Sequence, residues 1–143
     1  MGETFAKPVP HPTPDTRPYW DGLARGELLI QRCKDCGKLR HYPRPVCDGC
    51  WSMAHDWVAA SGRGSVHSWT ICHHPFHMGF KAQSPYVLVT VDLAEGVRAM
   101  GQLRGLDSAA LRIGLPVEAG FEREGEGHVL PVFRPRSATP DRE

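Results

Sequence analysis

Four cysteines in the stretch RCKDCGKLRHYPRPVCDGC, residues 32–50, form two C-x-x-C pairs, Cys33 with Cys36 and Cys47 with Cys50, separated by ten residues. Each pair suits one half of a tetrahedral metal site, because two residues between cysteines let backbone amides turn back toward the sulfurs. Gly37, directly after Cys36, fits such a turn, since a left-handed backbone costs glycine little. Arg32, Lys34, Lys38 and Arg40 surround the first pair and would offset the charge of four thiolates around one divalent ion. The expected ion is zinc, with Cys33, Cys36, Cys47 and Cys50 as ligands. Sulfur would fill all four positions, leaving none for water or substrate, so the metal is expected to hold structure and not to catalyse.

Two disulfides are the alternative, which a reducing cytosol disfavours. Redox use of a single C-x-x-C would call for a thioredoxin-like alternation of strands and helices, and one pair would suffice. The gap of ten is shorter than the usual ~15 to 20 and is typical of a compact ribbon.

Other residues of chemical interest fall in CHHPFH, residues 72–77. Cys72 beside His73 and His74 has the composition of a nucleophile and base, yet its place in an expected strand makes it a half-buried core thiol. His73, His74 and His77 lack a spacing that fixes a tetrahedral site, so this stretch reads as a solvated loop. No paired carboxylates or nucleophile, base and orienting group stand out, and no catalytic residue is expected.

A length of 143 residues with 13 prolines and 15 glycines implies short elements and many turns, arranged as two small modules. The formal charge of +1 builds in no global attraction to nucleic acid or an anionic membrane. No apolar run approaches the roughly 18 to 20 residues that span a bilayer, and no secretion signal opens the chain. A cytoplasmic protein is expected. Ala6 stands where a myristoylation motif wants Ser or Thr.

Residues 1–14, with four prolines, read as a flexible extended arm. Asp15 or Thr16 is expected to cap a short helix with Pro18 in its first turn, Tyr19, Trp20 and Leu23 on one face, and Gly26 as its stop. A strand over 27–32 leads into the first cysteine turn, and this helix and ribbon make a module over 15–61. Further strands are expected over 65–74, 86–93, 97–103, 116–122 and 128–133, with a short helical turn near 107–113. Three strands, a short helix and two strands give a mainly β chain with a five-stranded barrel of oligonucleotide/oligosaccharide-binding (OB) type over 62–135. An SH3-like barrel or small sandwich would give similar local signals. Residues 136–143 read as a flexible tail.

The stretches YWDGLARGELLIQRCKDCGKLRHYPRPVCDGC, SGRGSVHSWTI, PYVLVTVDLAEGVRAMGQL, IGLPVEAGFE and LPVFRP run from Tyr19 to Pro135. With them the chain resembles the zinc-ribbon and OB-fold proteins grouped as domain of unknown function 35. The resemblance implies a helical arm, a rubredoxin-like ribbon and an OB barrel. It further implies a noncatalytic scaffold or activator in a hetero-oligomer, bound to a thiolase-fold aldolase or thiolase that holds the acyl-CoA substrate, in steroid or other lipid side-chain degradation. On that reading Tyr19 and Trp20, with Phe76, Met78 and Phe80 of the loop between the first two barrel strands, are expected at the partner interface. The alternative for this loop is that it folds back over the barrel mouth. Lys34, Lys38 and Arg40 are expected to reach coenzyme A phosphates.

The rival is a single-stranded nucleic-acid-binding module, which both zinc ribbons and OB barrels can form. From residue 62 onward nine basic side chains are cancelled by nine acidic ones, whereas a groove tracking phosphates needs a surplus.

Overall fold

The computed structural model describes residues 6–125 and 127–136. The expected tail from 137 and the first five residues of the expected arm therefore lie outside the described residues. Within the arm, residues 6–12 form no helix or strand.

Helix α1, Arg17–Ala24, begins with Pro18 in its first turn and buries Tyr19, Gly22 and Leu23. Thr16 occupies the N-cap position, but its hydroxyl does not cap the helix; it accepts from the Thr13 amide at 2.9 Å and so closes the preceding turn. At the other end the Glu27 amide donates to the Gly22 carbonyl and the Gly26 amide to the Leu23 carbonyl. This Schellman arrangement needs a left-handed residue, and Gly26 supplies it with φ 77°.

The ribbon is a three-stranded antiparallel sheet in the order β2-β1-β3, with β1 Leu29–Cys33, β2 Leu39–Arg40 and β3 His55–Ala59. Strand β3, unanticipated in the sequence, pairs with β1 along its whole length, from Leu29 opposite Ala59 to Cys33 opposite His55. Its apolar content is thin, and it is fixed by this pairing and by a bidentate Arg32–Asp56 ion pair with N···O distances of 2.9 and 2.7 Å.

The barrel strands are β4 Arg63–Cys72, β5 Tyr86–Leu93, β6 Arg98–Leu103, β7 Pro116–Glu124 and β8 His128–Pro135. They close in the order β4-β5-β6-β8-β7, with β7 returning to β4 through Arg63 opposite Glu118. The β6–β8 contact is parallel and short, Gln102 opposite Val132 and Leu103 opposite Phe133. A single 3-10 turn, Ser108–Ala110, bridges β6 and β7, and the Asp107 side chain caps it by accepting from the Ala109 amide at 2.9 Å. Another, Met78–Phe80, lies in the loop between β4 and β5. This is the mainly β architecture expected: short helix, ribbon and closed five-stranded barrel.

The apolar residues form one continuous core. Tyr19 and Leu23 of α1, Leu28, and Ile30 of β1 pack in the same cluster as Val66, Val89, Val91, Leu93, Val117 and Phe133 of the barrel. Helix α1 touches both β1 and β8. The two modules expected to have thin separate cores thus share one, because the short helix has too little apolar surface to be covered by the ribbon alone.

Candidate metal centre and interaction surfaces

Both cysteine turns follow one hydrogen-bond scheme. At the first, the Cys33 amide donates to the Lys38 carbonyl at 2.9 Å and the Gly37 amide to the Cys33 carbonyl at 3.0 Å. At the second, Cys47 donates to Ser52 at 2.9 Å and Trp51 to Cys47 at 3.0 Å. The residue after each pair is left-handed: Gly37 at φ 77° and Trp51 at φ 66°. For glycine that conformation is nearly free, whereas for a bulky side chain it costs roughly 1–2 kcal/mol.

The four sulfurs lie within 4.8 Å of one another. Cys33 and Cys50 are 3.5 Å apart at sulfur and Cys36 and Cys47 3.6 Å. A disulfide requires about 2.05 Å, whereas sulfurs at 2.3 Å from a tetrahedral ion are separated by about 3.8 Å, so the donor set fits zinc and not a pair of bridges. The Gly49 amide donates to the Cys47 sulfur at 3.3 Å, and donation from the Cys36 amide pulls the Cys33 thiol down to about 6. Amides from Gly49 and Cys50 likewise lower Cys47. Such donors favour the thiolate at Cys33 and Cys47; at Cys36 and Cys50 the backbone donors from Lys38 and Ser52 are outweighed by the sulfur contacts with Cys47 and Cys33 and by burial, which push those two thiols up. Among the described residues no other group of three or more cysteine, histidine or carboxylate side chains is placed to share an ion; His73, His74 and His77 do not converge.

The basic residues around the first turn separate into different roles. Arg32 is held by Asp56, and Lys38 pairs with Asp48 at 2.9 Å, with Cys47 and Cys36 adding to the field on its ammonium. Lys34 is exposed. Arg40 corrects the expectation of a surface phosphate contact: it is 7% exposed, its Nε donates to the Gln31 side-chain carbonyl, and its Nη2 donates to the Arg44 carbonyl at 3.0 Å. The fully buried Gln31 also accepts from the Arg44 amide at 2.8 Å, so one buried amide organises the loop from Arg40 to Arg44. A polar residue in the apolar run LLIQRC was the only sign of this in the sequence.

The expected interface residues divide as well. Tyr19 is 5% exposed and belongs to the core, so it offers no surface to a partner, and burial raises its phenol well above the usual range. Trp20 is half-buried beside it, ring centroids 5.2 Å apart. In the β4–β5 loop Phe76 is 89% exposed and Met78 49%. Phe80 instead packs on Tyr86, with the Lys7 ammonium 5.5 Å from its ring centroid and paired to Glu124 at 3.0 Å. The arm thus covers Phe80 and leaves Phe76 and Met78 open. Cys72 is half-buried opposite Tyr86, and no hydrogen bond links it to His73 or His74 among the described residues.

A second apolar surface was not anticipated. Trp51 is 80% exposed and Met53 69%, both just past the second cysteine turn. The signal was present in the sequence: Trp51 stands after its C-x-x-C where Gly37 stands after the first, a position that a turn of this kind assigns to glycine.

Residues 20–56 match the family model described as the rubredoxin-like zinc ribbon domain of ChsH2, and residues 57–122 match its C-terminal OB-fold domain. The chain is 43% identical over 112 residues to the 3-oxo-4,17-pregnadiene-20-carboxyl-CoA hydratase alpha subunit of Mycobacterium tuberculosis, covering 78% of this chain and 35% of that one. It therefore spans about a third of that relative's length. A DUF35 domain-containing scaffold protein of Methanocaldococcus jannaschii is 33% identical over 97 residues, covering 67% of this chain and 68% of that protein. Among solved structures, a chain of the one described as "Ltp2-ChsH2(DUF35) aldolase" superposes with a TM-score of 0.81 at 38% identity, covering 88% of this chain and 98% of that chain. On sequence, fold and cysteine geometry together, the chain belongs to the DUF35 family of zinc-ribbon and OB-fold proteins typified by ChsH2.

Proposed function

We propose that this chain is a noncatalytic accessory subunit that binds and activates a thiolase-fold aldolase or thiolase acting on acyl-CoA, in steroid or other lipid side-chain degradation. The observation that carries the reading is the superposition on nearly the whole of a chain from an Ltp2-ChsH2(DUF35) aldolase. Zinc, held by Cys33, Cys36, Cys47 and Cys50, fixes the two turns of the ribbon and leaves no position for substrate. The mycobacterial relative named as a hydratase alpha subunit is spanned by this chain over only 35% of its length, so its name does not carry hydratase chemistry to this chain.

Exposed apolar side chains at two places supply the partner contact: Phe76 and Met78 at the barrel loop, Trp51 and Met53 at the ribbon tip. Large aromatic groups of this kind anchor interfaces when they enter a partner's pockets. Trp20 lines the interface only by its exposed edge.

The test is purification of the tagged protein from its own cells after nuclease treatment, followed by mass spectrometry. A thiolase-fold enzyme in near-equal amount is the expected result. Recovery of nucleic-acid-processing proteins without such an enzyme would overturn the reading in favour of the nucleic-acid module.

A further inference from the structure

The arm that precedes α1 lies across a groove on the barrel. Its residues 6–10 form one wall of a cavity of about 720 Å³, whose other walls include Gly79 and Phe80 of the β4–β5 loop, Gln102 of β6, and Glu124, His128 and Leu130 of the β7–β8 hairpin. Lys7 and Pro10 are half-buried, whereas Ala6, Pro8 and Val9 are exposed. That period of three is the turn of an extended polyproline helix, which has no internal hydrogen bonds to hold it. The arm thus meets the barrel along one edge, through two side chains.

Lys7 is clamped from two sides. Its ammonium pairs with Glu124 at 3.0 Å and stands 5.5 Å from the Phe80 ring centroid, so a carboxylate and the face of an aromatic ring meet the same cation. Outside the arm, the described lining offers one carboxylate, Glu124, and no lysine or arginine, so the groove itself is complementary to a positive charge at that point. Gly79 lets the arm come close. A Cβ there would stand 2.7 Å from the Lys7 Cα and 2.9 Å from the Ala6 carbonyl oxygen, and Gly79 has no left-handed backbone that would itself call for glycine. The missing side chain serves the passing chain and not the turn.

We infer that this groove is a binding site for an extended peptide segment with lysine directly before proline, and that residues 6–10 are its tethered occupant, displaced when such a segment of a partner protein enters. The lysine supplies the cation for Glu124 and Phe80. The proline after it keeps the lysine backbone extended, and a second proline two residues on stiffens the segment, so that little entropy is lost on binding. Because Ala6, Pro8 and Val9 are already exposed, release of the arm uncovers chiefly Phe80, which then joins the exposed Phe76 and Met78 on the same loop. The inference holds whatever enzyme the chain assists.

The experiment is an NMR titration of the zinc-loaded full chain with a blocked peptide AKPVPHP, the sequence of residues 6–12. Wild type is compared with Lys7→Ala/Pro10→Ser, which removes both anchors of the arm and leaves every groove residue in place. Saturable shifts at the Gly79, Gly125 and Leu130 amides are expected in the double variant. Wild type should bind about tenfold more weakly, because its own arm competes at an effective concentration in the millimolar range. Glu124→Gln in the double variant should weaken the peptide about threefold, the worth of a half-exposed ion pair, and Gly79→Ala should abolish binding by closing the approach. No saturation of the double variant by about 10 mM, equal binding by wild type and double variant, or a Gly79→Ala variant that binds normally would overturn the site. Saturable binding of an oligothymidine at the same amides in place of the peptide would also overturn it and give the groove to nucleic acid.

Discussion

The Tyr42 hydroxyl accepts from the Met100 amide at 3.0 Å and donates to the Met100 carbonyl at 3.4 Å, joining the ribbon loop to strand β6 of the barrel. One side chain thereby satisfies both polar groups of a barrel residue, in the manner of a neighbouring strand. Tyr42→Phe removes both bonds and leaves the Met100 groups to solvent. A loss of about 1 kcal/mol in unfolding free energy is expected, measured by urea denaturation, and no loss would mean that water replaces the hydroxyl at no cost.

Zinc removal should be felt by the entire chain. Cys47 is fully buried, and Cys47→Ser is expected to abolish stoichiometric zinc and sharply lower both solubility and the thermal midpoint. Metal content and circular dichroism check this together; a variant without zinc that melts at the wild-type temperature would contradict a structural role.

Trp51→Gly separates strain from recognition. Glycine tolerates the left-handed backbone at this position, so the variant should be as stable as wild type or more so, by up to roughly 1–2 kcal/mol. Association with the partner enzyme should fall at the same time, as the exposed indole is lost. Unfolding and co-purification read the two effects independently, and unchanged co-purification would remove Trp51 from the interface.

Acid should destabilise the chain through His41. Its folded pKa of about 4 lies below the ordinary 6.5, so the unfolded chain binds the additional proton between those values. Stability is then fully present above pH 6.5 and declines as pH falls toward 4, by about 2–3 kcal/mol in all. Urea titrations between pH 7.5 and 5.5, with zinc release followed in parallel, should show this slope in wild type and not in His41→Gln. Equal slopes in both would assign the acid sensitivity to other groups.

Gly64 of β4 stands opposite Leu93 of β5, and a Cβ there would lie 2.5 Å from the Asp92 carbonyl oxygen and 2.6 Å from a Val91 methyl. Backbone cannot yield as a side-chain end does. Gly64→Ala is expected to cost about 1–3 kcal/mol by thermal unfolding, and a neutral result would show that the strands separate easily at this point.

What the sequence disclosed was mostly what neighbours in sequence decide. Tyr86–Leu93 was legible to the residue because every second side chain of an apolar run enters the barrel, and Gly26 because a helix stop needs a left-handed residue. The four cysteines were legible because the spacing within each pair is set by a local turn. Strand β3 was hidden because only its pairing with β1 makes it a strand, and Arg40 misled because its partner Gln31 is contributed by another strand. Tyr19 joined the core for the same reason: its neighbours include the barrel, which begins more than forty residues later. Long-range pairing decides such positions, and no local pattern encodes it.

The sulfurs of the cysteine cluster are unequally sheltered, with Cys33 and Cys47 sealed inside and Cys36 and Cys50 open to solvent. A chelator or oxidant approaching from outside meets Cys36 or Cys50 before either buried thiolate. Exchange of the ion should therefore proceed by stepwise ligand substitution from one side, at a rate that depends on competitor concentration, and not through a slow global opening of the chain.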